Sequence, residues 1–484
     1  MKRLLFLMCL LSASTLFAQD LTTRIDEFIG QYVTHRGFQG TVVVAENGTL
    51  LYARGFGLAD PARGLQNGPQ VQYHIASVTK TFTAAMIMKL VEQGKIGVHD
   101  PITKYLPAYR RDTGDRVTIH HLLTHTSGIP EFATTEARRA HGLEPVPPMD
   151  QLIEKYCSEP LAFEPGSKFA YSNTGFVLLG AIIQKVTGQT FDQALHTLIL
   201  DPAGMKNSGL DCSGLSLPAR AAGFDAGFGD TLPPCEVFNI DWIGAAGGMY
   251  ATAEDMVAWD HALSDPAVLS RNALRLMQTP YVKMKADGPS YGYGAVLDRR
   301  VRNRKGDSLL VVYHQGGMPG VSSLFGRVPA TKQMVFVVSN VSGAPVVAMS
   351  DGLFALVNGS PAPSIKPSLA RGLFKAISTK GSLEGVRDIE SEHRASPGRY
   401  DVFENELSIL GHQYLREKKH DEAAAVFGYA LRLFPKSAGA FNNMGECAVA
   451  LDQKEKAIGF YKKSLELNPV GTTAREALQK LGVN

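Results

Sequence analysis

The sequence predicts an α+β fold, an antiparallel sheet flanked by helices with an all-helical subdomain, followed by a C-terminal α-helical repeat domain. Three observations carry that prediction. Strand-like runs open and close the first 358 residues, with helical segments between them, which brings both ends of that stretch into one sheet. Two segments in its middle are apolar around most of their circumference, as helices buried at a domain centre are. Beyond residue 359 the chain turns helical and repeats itself with a period of 34.

The elements follow in order. Lys2 and Arg3 precede an apolar stretch, Leu4 to Leu11, then small residues and a cleavage point after Ala18. That is the pattern of a secretory signal peptide over 1–18, too short to span a bilayer, and it predicts an exported protein, periplasmic or secreted. Cys9 lies behind Met8 inside the apolar stretch and does not read as a lipid-attachment site. Residues 19–358 form the first predicted domain. Thr41 to Ala45 and Leu50 to Arg54 read as strands joined through Asn47-Gly48, a hairpin signal. A helix begins near Ser77, runs through Ala84-Ala85-Met86-Ile87-Met88 and ends at Gly94. From Pro101 to Pro160 the chain is helical and loop-rich. A second apolar helix covers Gly175 to Val186, with Gly188 as its C-cap. Further strands are expected at Tyr291–Leu297, Leu309–His314, Val321–Val328 and Met334–Ser339.

Residues 359–400 are read as a linker, rich in proline from Pro361 to Pro367, and connecting helices. Residues 401–484 form the repeat domain. There Leu410-Gly411 superimposes on Met444-Gly445, Ala423 on Ala457, Phe427 on Tyr461, Leu431 on Leu465 and Pro435 on Pro469. The spacing resembles the tetratricopeptide repeat. Two repeats bury little surface alone, so they are expected to pack on the helical stretch 369–393 or on the preceding domain.

Composition narrows the function. With 44% hydrophobic and 20% charged residues the chain reads as a soluble globular protein, without a membrane span. Its formal charge of +3 falls to +1 once Lys2 and Arg3 are removed, which gives no electrostatic case for nucleic acid or an anionic membrane. Cys157, Cys212, Cys235 and Cys447 lack zinc-ligand spacing, and no metal or cofactor is expected. Cys212 and Cys235 flank a Gly/Pro-rich loop, and whether they pair is open.

Ser77-Val78-Thr79-Lys80 is the chemically informative stretch. Spacing i, i+3 on a helix sets a hydroxyl and an amine on one face. A lysine whose charge is suppressed by burial can take the serine's proton. Tyr171-Ser172-Asn173 lies just before the second apolar helix, where a phenol and an amide can face the same cleft. A phenol beside a lysine ammonium is expected to have a lowered pKa and to relay protons. His314-Gln315-Gly316-Gly317 ends a strand, and a backbone N–H there can pair with that of Ser77 as an oxyanion hole.

Over residues 21 to 358 the chain resembles the serine β-lactamase and penicillin-binding-protein superfamily, in its class C β-lactamase, DD-peptidase and esterase branch. The likeness rests on Tyr73 to Lys80, His121-Leu122-Leu123-Thr124-His125-Thr126-Ser127-Gly128-Ile129-Pro130, Pro165-Gly166-Ser167, Tyr171-Ser172-Asn173, Thr252-Ala253-Glu254-Asp255 and Gly316-Gly317 with Gly320. It implies that Ser77 is acylated, Lys80 takes or shares its proton, and Tyr171 serves the leaving group and the deacylating water. It implies that Asn173, His314, Gln315 and Gly316 bind substrate, and that Ser77 and Gly317 N–H groups form the oxyanion hole. One departure matters. The family's third motif is most often Lys-Thr-Gly or Lys-Ser-Gly; a histidine at 314 is neutral or only partly charged near pH 7, and Gln315 does not reproduce a hydroxyl's geometry, which weakens recognition of a carboxylate. Tyr-x-Asn also differs from the Ser-Asp-Asn of class A enzymes.

The expected function is therefore an exported serine hydrolase acting on an amide or ester, D-peptide or carboxylic ester, as a small molecule or peptide. A β-lactamase, and a catalytically weak sensor whose repeats recruit a protein partner, are the alternatives. Other conspicuous residues have plainer readings. His121 and His125 have the i, i+4 spacing of a metal pair without its flanking pattern. His74 is expected to be a satisfied structural histidine, and the basic run from Arg299 to Lys305 a solvated hairpin tip. Substrate specificity is expected in the loops 131–150 and 223–240.

Overall fold

The structure is a computed structural model that describes residues 20–132, 147–212, 215–229, 231–236, 239–266, 268–303 and 305–483. The signal peptide expected over 1–18 and most of the loop 131–150 lie outside the described residues. The chain divides into two compact units. The first comprises the residues up to Ile29, Phe38–Asp225 and Pro234–Pro363; the second comprises Gly30–Gly37, Ala226–Pro233 and Ser364–Asn484.

An eight-stranded sheet runs through the first unit among the described residues. Its strands are β1 (Gly40–Glu46), β2 (Thr49–Phe56), β3 (Val282–Lys283), β4 (Ser290–Tyr291), β5 (Val296–Arg302), β6 (Ser308–Met318), β7 (Val321–Val328) and β8 (Gln333–Ser339). They lie in the order β2-β1-β8-β7-β6-β5-β4-β3, and every ladder is antiparallel. Asn47 and Gly48 both take positive φ (52° and 75°), as a two-residue turn with right-handed twist requires. β1 then pairs with β8, so the first and last strands of the domain are neighbours, as the strand–helix–strand order implied.

The helix α1 (Thr79–Glu92) is the central post. Every residue from Thr79 to Met88 is buried, and Phe82 stacks on Trp259 with ring centroids 4.4 Å apart. α2 (Asn173–Thr187) is capped by Ser172 Oγ, which accepts from Gly175 N–H at 3.2 Å, and ends at Gly188 with φ 69°. A short helical turn, Gly244–Gly247, lies against both; a Cβ on Gly180 of α2 would come 2.5 Å from Ala245 Cβ.

One expected strand is two. Tyr291–Leu297 breaks into β4 and β5 around a turn closed by Gly292 N–H on Ala295 O at 2.9 Å. Gly294 has φ +71°, and a Cβ there would lie 2.6 Å from Lys80 O and 2.7 Å from Ala84 Cβ. The turn is pressed onto α1, and alternating aromatics disguised it as strand. The basic run also departs from a fully solvated tip. Arg300 Nε lies 2.7 Å from Asp351 Oδ1, and its guanidinium sits over the Tyr313 ring at 4.2 Å. Cys212 and Cys235 are both free thiols. The helix α3 (Val346–Val357) covers the outer face of β7 and β8.

The second unit is helical: α4 (Leu369–Lys380), α5 (Ser382–Ala395), α6 (Glu404–Arg416), α7 (His420–Leu433), α8 (Ala438–Ala450), α9 (Lys454–Leu467) and α10 (Thr472–Lys480). α6 and α8 begin 34 residues apart, as do α7 and α9. Their repeated contact is a ring on a glycine: Phe427 lies against Gly411, and Tyr461 against Gly445, where a Cβ would meet the ring at 2.6 Å. Leu373 and Ile377 of α4 and Ile389 of α5 share one core with Leu407, Leu410 and Phe427, so the repeats do pack on the stretch 369–393.

Candidate active site

Ser77 lies in a 3-10 turn, Ala76–Val78, that leads into α1. Ala76 has φ +46°, a left-handed conformation that costs a residue with a Cβ roughly 1–2 kcal/mol. The surroundings fix it. Thr79 Oγ1 donates to Ala76 O at 2.7 Å and accepts from Met249 N–H at 3.2 Å, while Ser323 Oγ of β7 donates to Ile75 O at 2.7 Å. β6 comes so close that a Cβ on Gly316 would overlap Ile75 O and Ser323 Oγ. Gly316 is thus the glycine that close approach requires; a Cβ on Gly317 would meet nothing within 4 Å.

Lys80 is fully buried, and its ammonium nitrogen has three oxygen neighbours: Asn173 Oδ1 at 2.8 Å, Ala246 O at 2.7 Å and Ser77 Oγ at 3.2 Å. Burial brings its pKa down to about 7, against an opposing pull from the Glu131 carboxylate. Two of the three oxygens only accept. A neutral amine therefore places its two hydrogens on Asn173 and Ala246 and turns its lone pair toward the Ser77 hydroxyl, which can donate to it.

Tyr171 stands over this group, with Lys80 Nζ 4.9 Å from its ring centroid. The expected lowering of its phenol by Lys80 does not occur. Burial raises it, while a hydrogen bond to Ser77 pulls the other way. Two fifths of the residue is open to solvent, so the upward push is smaller than full enclosure would give. The difference has a physical cause: a lysine with a pKa near 7 is only partly charged and offers little field to stabilise a phenolate. Asn173 and Thr174 open α2, and their backbone N–H groups point to the Glu131 carboxylate, a favourable charge at a helix N-terminus.

His314 is buried on β6. Its Nδ1 lies 2.6 Å from Gln315 O and its Nε2 3.0 Å from the Tyr291 hydroxyl. Burial and the charge on Lys80 push its pKa down to about 3, so the ring is neutral throughout the physiological range. Gln315 is exposed on the opposite face of the strand. There a cavity of about 520 Å³ opens beside Gly316 and Gly317, lined by Met318, Val321, Val346 and Asp351 among others. The structure thus brings Ser77, Lys80, Tyr171, Asn173, His314 and Gly316 together, with Gln315 turned away from Ser77.

His121 and His125 do not share a helix face. The helix Ile119–Leu123 ends before His125, whose φ is +58°; His121 closes a capping box with Thr118 while His125 turns into the site. His74 Nε2 lies 3.0 Å from Asp211 Oδ2. The site also uses residues that sequence reasoning passed over: Glu131, Tyr291 and the Ala246 carbonyl. Only Tyr291 left a trace, as one of two tyrosines alternating with glycines in Tyr291-Gly292-Tyr293-Gly294.

Comparison with known proteins identifies the family. A family model described as Beta-lactamase matches residues 25–357. The esterase EstB of Burkholderia gladioli is 30% identical over 325 residues, covering 59% of this chain and 83% of its own. Among solved structures, the octameric penicillin-binding protein homologue from Pyrococcus abyssi superimposes with a TM-score of 0.62 at 30% identity, over 70% of this chain and 78% of that one. A D-stereospecific amidohydrolase from Streptomyces sp. gives 0.56 at 26% identity, over 71% of this chain and 98% of that one.

Proposed function

We infer the reaction from one premise: this chain belongs to the beta-lactamase family and is a serine hydrolase. Within that class we read it as an acyl-transfer enzyme for uncharged amides or esters, working through an acyl-enzyme at Ser77. The observation that carries this reading is the arrangement around Lys80, where two acceptor-only oxygens leave the amine's third position to Ser77 Oγ.

We propose these steps. Neutral Lys80 takes the Ser77 proton as the serine oxygen attacks the carbonyl carbon. The Ser77 and Gly317 N–H groups receive the oxyanion. The carbon–leaving-group bond then breaks; Tyr171 gives its proton to the departing nitrogen or oxygen and recovers one from the Lys80 ammonium, which returns to the neutral amine. Water repeats the sequence in reverse, releasing the acid and restoring Ser77.

The residues around the carbonyl favour an uncharged substrate. His314 is neutral and brings no positive charge to the face of β6 that looks toward Lys80 and Tyr171. A substrate carboxylate beside that ring gains no cationic partner from it. Esters of the kind EstB's name denotes, and amides cleaved D-stereospecifically as the Streptomyces enzyme's name denotes, both suit such a site. We further read 1–18 as an export signal, and the C-terminal helices as tetratricopeptide-like repeats offering a surface to a protein partner.

The test is labelling and turnover of the purified protein. A fluorophosphonate probe labels the wild type and not Ser77→Ala, and p-nitrophenyl esters or D-aminoacyl amides turn over faster than nitrocefin. Undiminished labelling of Ser77→Ala refutes the acyl-enzyme reading. Faster nitrocefin turnover replaces it with a β-lactamase, and acylation without deacylation on all three substrates replaces it with a sensor.

A further inference from the structure

We propose that Tyr291 is a positioning residue of this site: its hydroxyl closes a one-way hydrogen-bond chain that holds His125 and His314 in opposite tautomers and ties the wall bearing Tyr171 to the strand bearing Gly317. The chain has four links. Ser172 N–H meets His125 Nδ1 at 3.1 Å, His125 Nε2 meets Tyr291 Oη at 3.1 Å, Tyr291 Oη meets His314 Nε2 at 3.0 Å, and His314 Nδ1 meets Gln315 O at 2.6 Å.

Both ends are main-chain groups, and that fixes the direction. A backbone N–H only donates, so His125 Nδ1 is bare and its ring proton sits on Nε2, donating to Tyr291. A carbonyl only accepts, so His314 carries its proton on Nδ1 and its bare Nε2 accepts the Tyr291 O–H. Tyr291 is the one link able to join these two rings, because it offers a lone pair to one and a proton to the other. Reversal would need a backbone amide to accept or a carbonyl to donate. Protonating His125 would set its Nδ1–H against the Ser172 N–H, and protonating His314 would leave the buried Tyr291 O–H without its acceptor, a loss that burial makes expensive. Lys80 and Tyr171 face both rings, with Glu131 beyond them, and burial together with the Lys80 charge disfavours ring protonation, in accord with the chain.

The chain crosses the site. His125 and Ser172 belong to the wall that carries Tyr171 and Asn173, and His314 and Gln315 to the strand that carries Gly317. The His125 ring lies 4.3 Å from the Tyr171 ring, tilted by 36°, and the His314 ring lies 6.2 Å from it. Rotation of either imidazole moves the surface against which Tyr171 rests. Tyr291 is fully buried and does not reach Ser77 in this arrangement, so it acts through the two histidines and Tyr171. The role rests on the part proposed above for Tyr171 and Gly317.

Two measurements on the full chain test it. Neutron diffraction of the deuterated wild-type protein should show deuterium on His125 Nε2 and on His314 Nδ1, with the other nitrogen of each ring bare. The same nitrogen protonated on both rings, or either ring doubly protonated at neutral pH, overturns the proposal. In the second, Tyr291→Phe is expected to lower kcat on a p-nitrophenyl ester by about 10- to 100-fold with KM changed less than about threefold, as loss of alignment without loss of binding does. Fluorophosphonate labelling of Ser77 should persist. A kcat within about threefold of wild type in folded Tyr291→Phe overturns the positioning role even if the tautomers are as stated. Should that variant fail to fold, the neutron result alone decides. Labelling of Ser77→Ala, by contrast, would sink the acyl-enzyme reading and leave the tautomers untouched, so the two failures are distinct.

Discussion

Asn173→Asp tests the base directly, because it changes a charge and almost no shape. The Asn173 Oδ1 atom lies 2.8 Å from Lys80 Nζ, and burial alone has brought that amine down to about 7. A carboxylate in place of the amide adds an attraction of about 4 kcal/mol, taking charge centres about 4 Å apart and an effective dielectric near 20. At about 1.4 kcal/mol per pKa unit this raises Lys80 by about three units, to about 10. The sign follows from the lone pair: a protonated amine has none, so acylation tracks the neutral fraction. Near pH 7 that fraction is about one half in the wild type and about one in a thousand in the variant.

The assay is the rate of acylation, or kcat/KM, for an uncharged ester from about pH 5 to pH 10. The wild type should gain about tenfold per pH unit and level off above about pH 7. In Asn173→Asp the same rising limb should continue to about pH 10, where the two enzymes converge to within whatever Asn173→Ala loses through substrate binding alone. A limb that stays near pH 7 in the variant, with the rate lowered equally at every pH, refutes Lys80 as the group that accepts the serine proton.

Four further substitutions, in two pairs, probe packing. Gly316→Ala would force a Cβ into Ile75 O and Ser323 Oγ beneath the nucleophile turn, and should cost about 1–3 kcal/mol by urea unfolding together with most esterase activity. Gly317→Ala meets open space and should leave stability unchanged, so equal losses from both would contradict the described approach of β6. In the second unit, Gly411→Ala drives a methyl into the Phe427 ring and should destabilise the full chain by about 1–3 kcal/mol. Gly428→Ala on α7, with nothing within 4 Å, should instead stabilise it by about 0.5–1 kcal/mol through helix propensity.

The features legible in the sequence were those with local spacing. Ser77 and Lys80 sit one turn apart, Tyr171 and Asn173 flank a cap residue, and Gly411 recurs 34 residues later as Gly445; each pattern survives without knowledge of what lies opposite. The unread features depend on distant partners. The Ala246 carbonyl that holds Lys80 belongs to every residue type alike and leaves no mark in a sequence. Tyr291 sat in an alternating aromatic run that also fits a strand, and only the pressure of Gly294 on α1 reveals the turn. His121 and His125 looked like a pair because a helix was assumed beneath them, whereas the chain leaves the helix at Leu123. The shift at Tyr171 was misjudged for a related reason. Its neighbour was taken as a full charge, although the burial that makes Lys80 useful also removes much of that charge.

The burial of α1 connects the fold to the chemistry. Its residues from Thr79 to Met88 are enclosed on all sides, an arrangement a core helix needs for packing and a lysine avoids. Lowering Lys80 from 10.5 to about 7 corresponds to roughly 5 kcal/mol of unfavourable solvation for its charged form. Three oxygens accommodate the amine once it is neutral, and the apolar contacts of Phe82, Met86 and Ile87 supply the stability that tolerates it when charged. A more amphipathic helix would expose Lys80, restore its ordinary pKa and leave Ser77 beside an ammonium ion. The near-uniform apolarity after Lys80, which by itself announces only a buried helix, is therefore what turns a common Ser-x-x-Lys spacing into a working base and nucleophile.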